Sequence, residues 1–401
     1  MTAREDPAGA RWRILALVSG AELLGMSLWF TASAVSPQLA EQWELTASQA
    51  GWLTTMVQIG FVAGTAVAAG LNLADILPDR PYFAGSALLG ALANLGIIVV
   101  PDYEGAVVLR FFTGFFLAGV YPPAMKMIAT WFRSGRGLAI GTIVGALTVG
   151  KATPYLVHAF AEASVVLVVA TASAGAGLAA LLVLIGYRDG PFPFQRRPFS
   201  WKLVGTVLRD RPTRLAIYGY LGHMWELYAM WTLIAAYYVQ VFRSAGAARP
   251  GTLGDVAGFL AIAAGGVGSV AAGRWADRWG RERVASGAMV VSGACALIAG
   301  WLVGASPWVV VPLGLVWGFA IVADSAQFSA LVTEVAPAHA VGTALTLQTS
   351  LGFALTALSI ALTVGVVAAW GWGPAFALLA AGPAFGIWSM RRLAVLRHAA
   401  R

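Results

Sequence analysis

The chain has 401 residues, of which 59% are hydrophobic and only 11% are charged, and its formal net charge is +8. Soluble domains carry roughly a quarter charged residues, so this composition excludes a water-soluble globular protein. Apolar stretches of the roughly 20 residues that an α-helix needs to cross a bilayer recur from end to end. The sequence therefore predicts an all-α, multi-pass membrane protein.

Twelve apolar stretches follow one another along the chain, and each is predicted to be a membrane-spanning helix. They lie at 13–36, 48–70, 82–100, 105–130, 137–160, 164–187, 213–241, 253–272, 284–304, 307–332, 340–365 and 370–390. The only cysteine, Cys295, falls in the ninth stretch, which excludes an intrachain disulfide and a cysteine-rich metal site. The histidines show no HExxH spacing, so we expect no metal, no cofactor and no enzyme activity.

The net charge has an explanation in membrane topology. Lys and Arg gather in alternate loops between the predicted helices, whereas the intervening loops hold only Arg243 and Arg249. By the positive-inside rule, this asymmetry places both termini in the cytoplasm of a protein of the cell inner membrane. The basic residues therefore predict topology, and we expect no nucleic-acid partner.

The longest charged interruption divides six predicted helices from six. We expect a first bundle at 1–187, a cytoplasmic linker at 188–212 and a second bundle at 213–401. Within the linker, Ser200 can cap a short amphipathic helix whose Trp201, Val204 and Val207 share one face. An irregular linker is the alternative.

The two halves match each other at a nearly constant offset. Gly70 and Arg80 correspond to Gly273 and Arg283, and Glu22 meets Glu226 one residue further along. Matches in chain order at one offset indicate an internal duplication, as in many transporter folds. The duplication places the two glutamates at equivalent points of helices one and seven.

A motif follows the eighth stretch, where the chain reads GRWADRWGRER. Its predicted gate residues are Gly273, Asp277, Arg278, Gly280, Arg281 and Arg283. This sequence resembles the signature loop of the major facilitator superfamily. The resemblance implies twelve helices in two pseudo-symmetric six-helix bundles, and a secondary transporter that works by alternating access. It also implies that the loop's aspartate and arginines form a charge cluster that closes the cytoplasmic side. We expect a monomer in the lipid bilayer.

The first-half copy of the loop, GLNLADILPDR, departs from this pattern. Ala74 stands where Asp277 stands in the second half, so Asp75 or Asp79 must substitute if a first-half latch exists.

Two further segments carry the resemblance. Arg110 begins a run similar to the family's fourth-helix motif, in which the arginine is often tied to proton coupling. Gly137, Gly141 and Gly145 recur at spacings of four in the fifth stretch, which permits close helix approach, and packing alone is the preferred interpretation. The glycine-rich fifth stretch and the run HMWELYAMW at His223 to Trp231 loosely resemble the nitrate/nitrite and cyanate-type porters. Nitrate itself is not expected, because helices two and eight lack arginine.

Ionisable residues inside the bilayer are costly, so each is expected to face a cavity or a partner. Glu22 lies roughly 14 Å beyond Arg13 at the helical rise, near the middle of the membrane. Helical spacing puts Trp29 on its face, and puts His223 one turn from Glu226, close enough to share a proton.

The resemblance implies that helices one, four, seven and ten line the cavity, where these polar faces fall. The predicted substrate-binding or coupling residues are Glu22, Trp29, Arg110, Tyr121, Lys151, Tyr155, His223, Glu226, Trp231 and Asp324. Lys151 shares a face with Tyr155 and His158, and either binds a substrate carboxylate or neutralises an internal acid such as Glu22.

Two transport functions remain open from the sequence. Proton-coupled movement of a small organic anion would use Arg110 and Lys151 as charge partners. Proton-coupled efflux of cationic or amphipathic compounds would use Glu22, Glu226 and aromatic faces such as Trp231. In both cases we expect Glu22 or Glu226 to carry the coupling proton. A channel or receptor would leave the duplication and the signature loop unexplained.

Overall fold

The computed structural model describes residues 9–133, 135–160, 164–192 and 199–399. Twelve helices cross the molecule, and several of them are built from two pieces. Their bounds are Ala10–Met26 for helix 1, Ala47–Gly70 for helix 2, Asp79–Leu95 for helix 3, Tyr103–Leu117 and Tyr121–Ala129 for helix 4, Arg136–Phe160 for helix 5 and Val165–Gly186 for helix 6. The second half has Arg211–Ser244 for helix 7, Pro250–Trp279 for helix 8, Arg281–Ala299 for helix 9, Pro307–Ala323 and Ser325–Val335 for helix 10, Val341–Trp370 for helix 11, and Trp372–Leu379 and Ala381–Ala399 for helix 12.

Shorter elements connect these helices. Thr31–Ala34 and Ser36–Gln42 continue the path of helix 1, and Leu73–Ile76 follows helix 2. Single 3-10 turns at Gly96–Ile98, Gly300–Leu302 and Ala338–Ala340 lie beside helices 3, 9 and 11. A helix at Trp201–Arg209 lies in the connection between the halves, with Val207 buried and Trp201 77% exposed.

Among the described residues, ten of the twelve helices are long and apolar enough to cross a membrane. Helix 1 and helix 7 are the two that fall outside those limits. Helix 1 has 17 residues before its break, and helix 7 carries His223 and Glu226 in its buried middle. Both helices are enclosed by neighbours, so their polar groups meet protein rather than lipid.

The helices form two bundles of six, and the second bundle repeats the pairings of the first. In the first, helix 1 packs on helices 5 and 6, helix 2 on helix 4, and helix 3 on helices 4 and 6. In the second, helix 7 packs on helices 11 and 12, helix 8 on helix 10, and helix 9 on helices 10 and 12. This repetition is the structural counterpart of the sequence duplication.

The bundles meet along two helix pairs, helix 5 with helix 8 and helix 2 with helix 11. The two pairs are equivalent under the duplication, because helix 2 corresponds to helix 8 and helix 5 to helix 11. We call the end where helix 1 begins and helix 12 finishes the basic end. The opposite end holds the connections between helices 1 and 2 and between helices 7 and 8.

Sequence analysis missed the breaks in helices 1, 10 and 12, and helix 4 is broken as well. Helix 4 is interrupted at 118–120, where Pro122 and Pro123 open its second piece and cannot donate backbone hydrogen bonds. Helix 10 is interrupted at Asp324, helix 12 at Ala380, and helix 1 ends at Met26. The breaks in helices 1, 4 and 10 all fall near the middle of the molecule, beside the site described next.

Candidate functional site

A small cavity of about 40 Å³ lies between the two bundles at mid-height. Helices 1, 2, 4 and 5 line it from the first bundle, and helices 7, 10 and 11 line it from the second. Seven of the sixteen described residues that line it are aromatic. A cavity of this size holds about one or two water molecules.

Four of the ten predicted site residues line this cavity: Trp29, Tyr121, Lys151 and Trp231. The other six are buried close by and do not line it: Glu22, Arg110, Tyr155, His223, Glu226 and Asp324. Residues that the sequence interpretation missed complete the walls, among them Phe61, Thr148, Tyr220, Ser325 and Phe353. Most of these residues are uncharged and lie in apolar stretches. Nothing in the sequence distinguishes such a residue that lines a cavity from one that packs in the core.

Lys151 is the only cationic side chain that the described part of the chain contributes to the cavity wall. Its Nζ lies 3.7 Å from the ring centroid of Trp29 and 4.5 Å from that of Tyr228, and it donates to the Tyr228 hydroxyl. Trp231 and Phe353 are the next rings, at 5.6 and 5.9 Å. The ammonium is therefore enclosed by aromatic faces contributed by both bundles.

Among the described residues, no carboxylate lies within ion-pairing distance of Lys151. The predicted neutralisation of Lys151 by Glu22 is therefore not present as a direct ion pair. An ammonium has three N–H donors, and the Tyr228 hydroxyl takes one of them. Because a buried charge without a counter-ion costs several kcal/mol, an anion that enters the cavity gains an unusually favourable partner.

Glu22 is completely buried in helix 1. Within the described part of the chain, neither of its carboxylate oxygens has a hydrogen-bond partner. Lys151 and Tyr121 are the ionisable side chains within its electrostatic reach. Glu22 thus lies behind the cavity wall, with two cavity-lining residues as its electrostatic neighbours.

Arg110 occupies a different position from the one predicted. It is fully buried, and its guanidinium donates to the backbone oxygens of Leu28 (3.0 Å), Trp29 and Leu53 (3.2 Å) and to Oδ1 of Asn94 (3.1 Å). Leu28 and Trp29 lie in the break after helix 1, where carbonyl groups lose their helical partners. Arg110 therefore stabilises that break, and its predicted role as a partner of a substrate anion does not fit this geometry.

Glu226 is enclosed within the second bundle. Trp317 Nε1 donates to its Oε1 at 2.7 Å, and Ser292 Oγ donates to its Oε2 at 2.9 Å. The carboxylate thus links helix 7 to helices 9 and 10 and does not reach the cavity. Glu226 and Glu22 are equivalent in sequence, but only Glu226 has hydrogen-bond donors for both oxygens.

His223 pairs with Asp324. The sequence interpretation instead placed it beside Glu226. Its Nδ1 lies 2.8 Å from Asp324 Oδ1, and both side chains are almost completely buried. Its Nε2 lies 3.1 Å from the hydroxyl oxygen of Ser325, a cavity-lining residue. The break in helix 10 makes this contact possible, because it places the adjacent side chains of Asp324 and Ser325 on either side of one imidazole.

Helix 5 carries two further polar residues toward the opposite end. Tyr155 is buried against Phe30, with 6.1 Å between ring centroids. His158 Nδ1 lies 2.6 Å from Asp255 Oδ2 of helix 8, so this pair joins the two bundles. Sequence analysis passed over Asp255, although it is an ionisable residue inside a predicted membrane stretch and is therefore expected to have a partner.

The glycines of helix 5 bring its backbone against helix 8. A β-carbon on Gly141 would lie 3.1 Å from the carbonyl oxygen of Ser269, and one on Gly145 would lie 3.1 Å from that of Gly266. Larger residues would push the bundles apart here. This contact agrees with the packing interpretation of the glycine spacing.

The predicted gate residues surround the turn between helices 8 and 9. Gly280 has φ +87°, a backbone conformation that favours glycine. The carboxylate of Asp277 lies beside the first turn of helix 5, 3.5 Å from where a β-carbon on Gly137 would lie, and a carboxylate is favoured at a helix N-terminus. Gly273 packs against the same glycine.

The arginines of the gate have different surroundings. Arg281 pairs with Glu334 at 2.6 Å and donates to Gln327, so it ties helix 9 to helix 10 within one bundle. Arg397 joins the network through Glu282 and Glu334. Arg278 and Arg283 are exposed. Sequence analysis did not identify these acidic partners, because they lie in other helices.

The first-half copy of the loop also has an ion pair. Asp79 Oδ1 lies 2.8 Å from Lys126 Nζ, and both residues belong to the first bundle. The side chain of Asp75, the other predicted substitute, lies outside the described residues.

The sequence places this fold in a known family. The sequence model of the Major Facilitator Superfamily matches residues 17–359, and the chain belongs to that family. It is therefore a multi-pass membrane transporter of a small-molecule substrate, not an enzyme.

Two curated relatives share shorter segments. The chain is 28% identical over 93 residues to the niacin transporter NiaP of Acinetobacter baylyi, covering 23% of this chain and 21% of the relative. It is 27% identical over 151 residues to the galacturonate transporter of Dickeya chrysanthemi, covering 37% of this chain and 43% of the relative. The matched segments thus span less than half of either relative.

Two solved structures share the fold over nearly the whole chain. A variant of the nucleoside transporter NupG has a TM-score of 0.73 at 14% identity, covering 95% of this chain and 99% of that one. The human organic anion transporter MFSD10 (TETRAN) has a TM-score of 0.67 at 14% identity, with 96% and 100% covered. Such low identity shows the fold alone. None of these four proteins is named for nitrate, nitrite or cyanate, so the branch expected from the sequence has no support among them.

Proposed function

We propose that this protein is a proton-coupled transporter of a small organic anion, and that Lys151 is the counter-ion of the anion. The observation that carries the proposal is the position of Lys151. It is a buried lysine in the wall of a cavity shared by both bundles, with no carboxylate partner among the described residues. A carboxylate that binds there restores charge neutrality in a region of low dielectric constant.

The shape and chemistry of the walls support a small carboxylate that carries a ring. Trp29, Tyr228 and Trp231 surround the ammonium, and aromatic faces pack well against flat or cyclic compounds. The names of three similar proteins point in the same direction, since niacin and galacturonate are ring-containing carboxylates and the third is named for organic anions.

Proton coupling is assigned to Glu22 in this proposal. Its carboxylate is buried without a hydrogen-bond partner in the described chain, and it lies within the electrostatic reach of Lys151. A proton on Glu22 removes a negative charge that competes with the substrate for Lys151, so proton and anion binding favour each other. Glu226 is a weaker candidate, because Trp317 and Ser292 already satisfy both of its oxygens.

Transport of a cationic or amphipathic compound is the alternative function. The aromatic cage favours it, since cations bind well over such faces. However, the side chain of Lys151 already occupies that cage, and in its protonated form it repels a second cation. The anion is therefore the better supported cargo.

The remaining features of the proposal concern the setting. The basic residues support an inner-membrane protein with both termini in the cytoplasm, so that the basic end is the cytoplasmic end. We propose a monomer whose functional domains are residues 1–187 and 213–401, joined by a linker at 188–212. Residues 193–198 of that linker lie outside the described residues.

A thermal-shift screen in detergent tests the proposal. The probes are nicotinate and galacturonate as anions and tetraphenylphosphonium as a cation. We expect at least one anion to raise the melting temperature of the wild-type protein and of Lys202→Met, a control that removes an exposed lysine. The same anion should leave Lys151→Met unchanged. Stabilisation by the cation alone, retained in Lys151→Met, would overturn the proposal.

A further inference from the structure

Asp324, His223 and Ser325 form a continuous chain of contacts from the interior of the second bundle to the cavity. Asp324 Oδ1 lies 2.8 Å from His223 Nδ1, and His223 Nε2 lies 3.1 Å from Ser325 Oγ. Ser325 lines the cavity, whereas the other two residues are buried behind it. One imidazole therefore contacts a buried acid on one side and a cavity-lining hydroxyl on the other.

The protonation state of this imidazole decides which way the hydroxyl hydrogen of Ser325 points. In the neutral ring with its hydrogen on Nδ1, the nitrogen that lies 2.8 Å from Asp324 Oδ1, Nε2 accepts a hydrogen bond from the Ser325 hydroxyl. The serine then presents only lone pairs to the cavity. In the imidazolium, Nε2–H donates to Ser325 Oγ, which frees the hydroxyl hydrogen to point into the cavity.

We infer that Ser325 contacts the substrate and makes its binding depend on the protonation of His223. The inference rests on the proposed anionic substrate. A carboxylate accepts hydrogen bonds, so it is disfavoured by the lone pairs of the neutral state and favoured by the hydroxyl donor of the protonated state. Protonation of His223 therefore adds one donor to the site, beside the ammonium of Lys151.

His223 and Asp324 act in this arrangement as positioning residues, since neither reaches the cavity. Asp324 fixes the tautomer and orientation of the ring, and it compensates the positive charge after protonation. This arrangement is separate from Glu22, which belongs to the other bundle. It provides a route by which the second bundle responds to a proton.

Few other titratable groups face His223. Glu226 and Tyr220 lie on its own helix, with 6.0 Å between the Tyr220 and His223 ring centroids. Helix 11, which packs on helix 7, contains no titratable residue, whereas helices 8 and 12, which also pack on it, carry charged residues. Those residues are Asp255, Arg274, Asp277 and Arg278 on helix 8 and Arg391, Arg392 and Arg397 on helix 12. Across the cavity stand Lys151, Tyr121 and Tyr228. Trp317 and Ser292 donate to the Glu226 carboxylate and hold it away from His223. Asp324 is therefore the direct ionic partner of the His223 ring.

The experiment measures binding of galacturonate and nicotinate to purified protein by isothermal titration calorimetry, from about pH 5 to pH 8. All proteins carry Glu22→Gln, so that protonation of Glu22 does not contribute. Ser325→Ala removes the hydroxyl, and Ser325→Thr keeps it. Thr333→Ala is the matched control, because it removes an exposed hydroxyl from the same helix piece. Thermal unfolding verifies that each variant is folded.

With Ser325 intact, we expect the dissociation constant to rise with pH by up to about tenfold per unit, as for the loss of one linked proton. The same slope should remain in Ser325→Thr and Thr333→Ala and disappear in Ser325→Ala. A slope that persists in Ser325→Ala, or no slope with Ser325 intact, would overturn the inference and leave the anion proposal standing. If neither anion binds at any pH while tetraphenylphosphonium does, the proposed function fails, and the inference fails with it.

Discussion

The imidazole of His158 and the carboxylate of Asp255 form the one ion pair between the two bundles in the described part of the chain, with 2.6 Å between Nδ1 and Oδ2. The pair lies at the opposite end of the molecule, where helix 5 finishes and helix 8 begins. If the bundles rock apart at that end, this contact must break. We therefore expect it to act as a latch on that end.

Replacing Asp255 by Asn is expected to shift the protein toward the state that is open at the opposite end. A charge-assisted hydrogen bond contributes about 1.5–3 kcal/mol, so the open population should rise about tenfold or more. Double electron–electron resonance between spin labels at Glu41 and Ala248, in a Cys295→Ala background, measures the change. Asp79→Asn, in an ion pair within the first bundle, is the control. Equal distance distributions in Asp255→Asn and wild type would rule out the latch.

Replacing Gly145 by Val is expected to have the reverse effect. A β-carbon there already lies 3.1 Å from the Gly266 carbonyl oxygen, so added methyl groups push helix 5 from helix 8 on the basic side of the cavity. Spin labels at Leu77 and His339 should show longer distances. Gly85→Val is the matched control, since nothing lies within 4 Å of its β-carbon position. Unchanged distances in Gly145→Val would contradict the close-packing role of the helix.

Arg110 is expected to be required for stability and not for anion recognition. Replacement by Lys keeps the charge, but one ammonium cannot reach acceptors in two helices as the guanidinium does. We expect a loss of about 3 kcal/mol in the free energy of unfolding, seen as a lower melting temperature in detergent. Lys202→Met should melt like the wild type. An Arg110→Lys protein with unchanged melting but no anion binding would instead restore the substrate role.

Glu22→Gln is expected to separate transport from the proton gradient. The variant should still exchange labelled substrate across proteoliposome membranes, but a pH gradient should no longer drive accumulation, because Gln cannot exchange a proton. Glu104→Gln, at an exposed first turn, serves as the control. Accumulation that remains dependent on the pH gradient in Glu22→Gln would exclude this residue as the coupling site.

Hydropathy was sufficient to predict the twelve helices, because each bilayer crossing needs a long apolar run and the charged loops between them are plain in the sequence. The duplication predicted the two-bundle arrangement for a similar reason. The breaks in helices 1 and 10 were not predictable in this way. The backbone at Leu28 and Trp29 is stabilised by Arg110, a residue some 80 positions away.

The candidate site was predictable in its residue types and not in its pairings. Glu22, Lys151, His223 and Asp324 were identified because ionisable groups inside a membrane need a reason to be there. Helical spacing suggested that His223 meets Glu226, since both lie on one helix. The observed partner, Asp324, lies in another helix. Helical spacing relates only residues of the same helix, so it could not indicate this pairing.

Uptake of radiolabelled galacturonate or nicotinate into proteoliposomes tests the role of Lys151 most directly. An inwardly directed proton gradient should drive uptake by the wild type and by Lys202→Met, and no uptake by Lys151→Met. Equal uptake by Lys151→Met, or uptake of radiolabelled tetraphenylphosphonium alone, would contradict an anion site built around the buried lysine.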